Sequence, residues 1–274
     1  IDPFDQLDVE TNTTLDQVRR QRWGLEPYLT WNFSELNSLR VAYSYYDRSF
    51  EDGERAGLRD TTESQLGLGF ERQLSPRLTG GINLGIAEYT AKGLGNEEDG
   101  EADNYSGVIG FNYLINLRTR LTAELGASHS ENDVIGVNET VAIWDLRLTR
   151  DMPASRILVG WNRGTEPSVF GSLIRADRII ASYQQSLSER WEISLDAYAY
   201  QTRTVGTAGT DRDNREYFDF APRITWRVNQ SWNLGALYRY RWSERTFDEA
   251  GQFAGSAEGN IVSVFVSYQP PRRI

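Results

Sequence analysis

Four arginines stand in two neighbouring runs late in the chain: Arg223 and Arg227 on either side of Ile224-Thr225-Trp226, and Arg239 and Arg241 within Tyr238-Arg239-Tyr240-Arg241-Trp242. A guanidinium is permanently charged, and its planar fork of donors suits carboxylates and other oxyanions. Lys92 is the single lysine, so nearly all positive charge is arginine. Carboxylates share the same alternating phase in other runs: Glu71, Glu124, Glu192 and Asp196. If both sets line one cavity, a basic ladder faces acidic strands and sets up a transverse field that orients polar solutes. The same residues can instead fill an interior with salt bridges. Spacing alone leaves both readings open.

Other reactive groups are few. His129 is the only histidine and lies between Ser128 and Ser130. Adjacent strand residues point to opposite faces, so these serines are poorly placed as its nucleophile, and a solvated rim histidine is the simpler reading. The run Glu97 to Asp103 is acidic enough to gather calcium or the cations that bridge lipopolysaccharide, but it lacks one-three-five ligand spacing. Asp211 to Glu216 carries both signs and reads as a self-neutralising loop. Cysteine is absent, which removes disulfides, thiolate metal sites and a cysteine nucleophile. Gly67-Leu68-Gly69 and Gly80-Gly81 precede no helical pattern, so they are not phosphate loops. No metal cluster or cofactor motif appears. The expectation is no enzyme, no metal and no cofactor.

What positions these residues is a repeated turn. Leu187-Ser188-Glu189-Arg190-Trp191 has near-copies beginning at Phe33, Leu74, Ile115 and Val228, with a weaker one at Arg150, spaced roughly 35 to 41 residues apart. Each joins two runs of strict apolar–polar alternation, the signature of a strand with one greasy and one polar face. Between these hairpins lie polar, glycine-bearing loops of roughly eight to fifteen residues. Six tight turns give twelve strands. The C-terminal run and a weakly patterned first strand at about residues 3–12 make fourteen. Pro27 and Pro222, each lacking a ladder donor, predict a bulge or strand end.

Strictly alternating short and long connections fit an up-and-down barrel with short periplasmic turns and longer extracellular loops, rather than a sandwich. Strand runs of about ten to fourteen residues are long enough to cross a bilayer when tilted. A mean hydropathy of -0.55 fits such a chain, because alternating strands average out to polar. Trp23, Trp161, Trp191, Trp226, Trp232 and Trp242 sit near strand ends, as membrane-interface aromatics do. With charges on the opposite faces, a polar interior is simpler than a packed one. A net charge of -10 argues against nucleic acid.

These units resemble bacterial outer-membrane β-barrels. More narrowly they are similar to the barrels associated with exopolysaccharide and exosortase (PEP-CTERM) gene clusters. Arg22-Trp23-Gly24-Leu25-Glu26-Pro27-Tyr28-Leu29 and Leu39-Arg40-Val41-Ala42-Tyr43-Ser44-Tyr45 carry the resemblance, which runs from about residue 20 to 268. It implies an outer-membrane location and passage of hydrophilic solutes, with polysaccharide export as the particular case. Tyr268 stands where such barrels carry a terminal aromatic, ahead of a tail at 269–274.

The expectation is therefore an all-β, single-domain transmembrane barrel over 1–274, of about 14 strands (12–16), with 1–20 as an N-terminal segment or first strand. Its partners are the bilayer and lipopolysaccharide, a polysaccharide or small hydrophilic solute, and a periplasmic or surface protein. A barrel that anchors such a partner without conducting is the alternative.

Overall fold

The computed structural model describes residues 19–51, 58–93, 99–132, 137–167, 173–204, 214–246 and 255–268. It is all β, with no helix among them. The strands are β1 (Arg19–Leu25), β2 (Tyr28–Ser34), β3 (Asn37–Glu51), β4 (Thr61–Ser75), β5 (Leu78–Ala91), β6 (Gly100–Asn116), β7 (Thr119–Asn132), β8 (Val137–Met152), β9 (Ser155–Pro167), β10 (Leu173–Ser186), β11 (Trp191–Thr204), β12 (Asn214–Arg227), β13 (Trp232–Thr246) and β14 (Gly255–Tyr268). They form one antiparallel 14-stranded sheet in up-and-down order, in which β1 and β2 both pair with β3 and every later strand pairs with its sequence neighbours.

The strand number agrees with the expectation, but its make-up differs at the N-terminus. β1 and β2 both pair with β3 on one continuous register, Leu25 opposite Tyr45 and Tyr28 opposite Ala42. They are one crossing interrupted at Pro27, which cannot donate to the ladder. Tyr43 N–H instead donates to the Pro27 carbonyl at 3.0 Å. Pro222 opens a smaller gap. β12 and β13 pair at Phe220–Tyr240 and again at Arg223–Leu237, with nothing bridged between. The expected first strand at 3–12 lies outside the described residues, as do Glu97, Glu98 and the tail at 269–274.

All six tight turns lie where the repeat puts them, and their chemistry explains why it recurs. Ser188 Oγ accepts from the N–H groups of Arg190 and Trp191, and Asn229 Oδ1 accepts from those of Ser231 and Trp232. Ser34, Ser75 and Asn116 each accept from the N–H two residues on. A short polar side chain at this place closes the turn on its own backbone. Each of the first five turns is also tied to the next hairpin, because the carbonyls of Leu36, Arg77, Arg118, Ala154 and Arg190 accept from Gln73, Leu114, Asp151, Ser186 and Arg227.

At the other end the connections are 52–60, 92–99, 133–136, 168–172, 205–213 and 247–254. Two of these are shorter than expected because the strands are longer. β8 has 16 residues and starts already at Val137, and β9 runs on to Pro167, so ladder replaces what reads as loop. About 9–11 tilted residues cross a bilayer, so the surplus projects beyond it on this side.

Directly opposed residues share a face, so the register separates the two sides of the sheet. The outward side carries Leu66, Leu68 and Phe70 on β4, Ile82, Leu84 and Ile86 on β5, and Val262, Val264 and Val266 on β14. These stay exposed in the isolated chain, which is what a belt covered by lipid requires. Toward the long loops the same face turns polar, at Ser64, Glu88, Asp103 and Glu131 in adjoining strands.

The sheet curls on itself. Leu173, at the start of β10, is buried in a cluster with Tyr89 and Ala91 of β5 and Ala102 of β6, far away along the ladder. Among the described residues no ladder joins β14 to β1 or β2. That seam leaves Val262 and Val264 76% and 73% exposed, against 44% for Leu68, which has strands on both sides.

Candidate functional site

The face opposite the belt is the barrel's inner wall. Across β10–β13 one row reads Ile180, Tyr198, Asp219, Arg241, and the next reads Ser182, Asp196, Ala221. The outward residues at this level are Ile179, Ala199, Phe218 and Trp242, so these inner groups lie within the apolar belt.

Arg223, Arg227, Arg239, Arg241, Glu71, Glu124, Glu192 and Asp196 all occupy this inner face. They do not form one array. Arg239 and Arg241 converge on Asp219, with Nε to carboxylate distances of 3.3 and 2.8 Å. Tyr217 donates its hydroxyl to the same carboxylate at 3.0 Å. The guanidinium of Arg223 instead lies over the Phe265 ring, 5.8 Å from its centroid. Gly235 makes that possible. A Cβ there would stand 2.2 Å from the Phe265 ring, so the ring lies flat where a side chain would be. Arg227 sits at the turn rim, opposite Asn233.

The acids divide as well. Glu192 and Asp196 lie on β11 beside the arginines, on the same wall rather than facing them. Gln184 donates to Glu192 and the Ser182 hydroxyl to Asp196, at 2.9 and 2.7 Å. Glu71 and Glu124 lie on β4 and β7, close enough to each other and to Asp145 of β8 for their charges to repel. Gly81 and Gly110 stand between them in the row and leave the space the carboxylates occupy. A Cβ on Gly110 would come within 3.0 Å of Glu124 Cγ. The basic wall is therefore β12–β13 and the acidic wall β4–β8, where Arg147 pairs with Asp145 at 3.7 Å.

Sequence reasoning missed the groups between these walls. Glu166 of β9 pairs with Arg178 and accepts from the Tyr200 hydroxyl at 3.0 Å. Glu63 of β4 feels the charges of Arg48, Arg22 and Glu166. β4 and β9 are distant along the ladder, so Glu166 acts on Glu63 across the lumen rather than along the sheet. Toward the long loops the interior is crossed by the Leu173 contact. Tyr198 stacks on Tyr200 at 6.2 Å and meets Tyr217 at 6.0 Å, a row of three rings on the inner wall. Asp219 is 9% exposed. Alternation already put these residues on the inner face. It did not show that Asp219, not the distant glutamates, holds the arginines.

The six candidate tryptophans all face outward and fall at two heights. Trp191 stacks on Trp226 at 5.7 Å, and Trp232 meets Tyr268 at 4.8 Å, both at the turn rim. Trp23, Trp161 and Trp242 stand farther up, and the next outward residues beyond them are Gln21, Arg163 and Glu244. Apolar surface between two aromatic levels matches the thickness profile of a membrane. His129 also faces outward, hydrogen-bonded to Thr140 and Glu131 at 2.9 and 3.0 Å. Ser128 and Ser130 point inward to Asn104. No nucleophile–base pair forms at the histidine. No group of acids and histidines that would hold a metal occurs among the described residues.

This is the fold of a bacterial outer-membrane β-barrel, and the lipid-facing belt locates the chain in that membrane. The FrpB iron transporter of Neisseria meningitidis (F5-1 variant) is similar, with a TM-score of 0.54 and 10% identity over 85% of this chain and 46% of that one. The copper transporter OprC gives 0.52 and 12% over 94% and 58%. The chain thus spans about half the length of these barrels. At such identity the likeness is one of fold. No family model matches the chain, and no curated protein does.

Proposed function

We propose that the chain forms the wall of an outer-membrane channel for hydrophilic solutes. The observation that carries this reading is the division of the inner face into a basic wall (Arg223, Arg239, Arg241) and an acidic one (Glu71, Glu124, Asp145), with tyrosines and small residues between. Such a surface is costly inside a packed core and natural beside water. Opposed charge across a lumen aligns polar solutes and selects among them. That the similar solved barrels are transporters supports the general role. The resemblance to exopolysaccharide-cluster barrels favours a saccharide as cargo and export as its direction.

Swelling of proteoliposomes in iso-osmotic sugar tests this reading. Vesicles carrying folded protein swell as small sugars enter. Swelling no faster than that of empty vesicles contradicts it.

A second reading, a barrel that anchors a periplasmic or surface partner without conducting, is favoured by the Leu173 cluster at the loop side. There an apolar contact crosses the interior where a pore would open. Under this reading Leu173→Ser leaves swelling unchanged. Under the channel reading it speeds swelling.

A further inference from the structure

Between the arginines and the tyrosine row the inner wall holds a cavity of about 510 Å³, bordered by Tyr198, Tyr217, Asp196, Asp219, Arg223 and Arg239 among others. We propose that it is a binding subsite for a carboxylated sugar unit, a uronic acid within a glycan chain. This rests on the channel reading for its access and deepens it by naming the class of cargo.

The volume falls in the range of about 300–1,000 Å³ usual for small-molecule sites. Three guanidiniums meet two carboxylates there, so the cavity is net positive inside a chain of charge -10. Asp219 already engages Arg239 and Arg241, whereas Arg223 makes only its contact over Phe265 among the described residues. Its fork of donors is the one that can take a ligand carboxylate bidentately. The Tyr198 and Tyr217 rings offer apolar faces with a polar edge, the surface a sugar ring's C–H face packs on. Asp196 and Asp219 add acceptors for hydroxyl donors. A simple anion uses the arginine alone and a neutral sugar the rings and acceptors alone. A uronate uses both.

Isothermal titration of the folded full chain with trigalacturonate and with maltotriose reads this out without needing an open pore. Trigalacturonate is expected to bind at least tenfold tighter. Arg223→Gln removes that preference, weakening trigalacturonate about tenfold and leaving maltotriose unchanged. Tyr198→Ala weakens both. Heat-dependent gel mobility reports folding of each variant, and Arg223→Lys, which keeps the charge but loses the fork, restores only part of the binding. Equal affinity for the two glycans, or trigalacturonate binding untouched by Arg223→Gln, overturns the proposal. Binding with no swelling of proteoliposomes leaves the subsite standing and overturns the channel.

Discussion

Asp219 is the residue on which the inner wall depends most. It forms an ion pair with Arg239, accepts from Arg241 and Tyr217, and is nearly out of reach of water. Removing one partner of a shielded ion pair leaves the other charge unmatched, which is worse than having no pair. Asp219→Ala is therefore expected to cost about 3 kcal/mol in urea unfolding from lipid vesicles. A conservative change at the exposed, unpaired Arg227 should be nearly neutral in the same assay. Gly235 is the second sensitive position. Gly235→Ala drives the Phe265 ring toward the lumen and dislodges Arg223, at a cost of about 1–3 kcal/mol from overpacking. Ring-current shifts of the Phe265 protons would report the movement directly. At this scale the sequence was only partly legible. Period two identified which side each of the eight charged candidates faces. It was blind to partners, because a contact such as Arg241–Asp219 depends on the pairing of two strands, and the packing of Leu173 against Tyr89 on curvature of the whole sheet.

At the level of elements the hairpin repeat was almost wholly readable, since turns are local. Ser188 and Asn229 close their turns with their own side chains, so a short polar residue at that spacing announces the turn before any long-range pairing. Ser188→Ala combined with Asn229→Ala is expected to lower stability by about 1–3 kcal/mol, two exposed hydrogen-bonded turns at about 1 kcal/mol each. It should slow unassisted folding into vesicles without changing the final secondary structure by circular dichroism. Strand ends at the long-loop side were less legible. Past the lipid belt the outward face turns polar, and a polar two-sided strand such as the end of β8 reads as loop. Pro27 was legible as an interruption but not as one inside a single crossing, because only the shared register with β3 reveals that β1 and β2 lie in line.

For the whole molecule, two walls of opposite charge line the proposed channel, and an apolar contact crosses it toward the long loops. Leu173 with Tyr89, Ala91 and Ala102 forms that contact. Leu173→Ser should raise single-channel conductance without altering the aromatic levels that seat the barrel in the bilayer. The most direct test of the central claim is the zero-current potential in a planar bilayer under a salt gradient. It is measured for the folded protein and for the variant with Arg223, Arg227, Arg239 and Arg241 all changed to Gln. Stepwise conductance is expected from the native chain, with a shift toward cation preference in the variant, because Glu71 and Glu124 then face none of these four arginines of β12 and β13. Silent native protein that is demonstrably folded, or an unchanged zero-current potential in the variant, would contradict it.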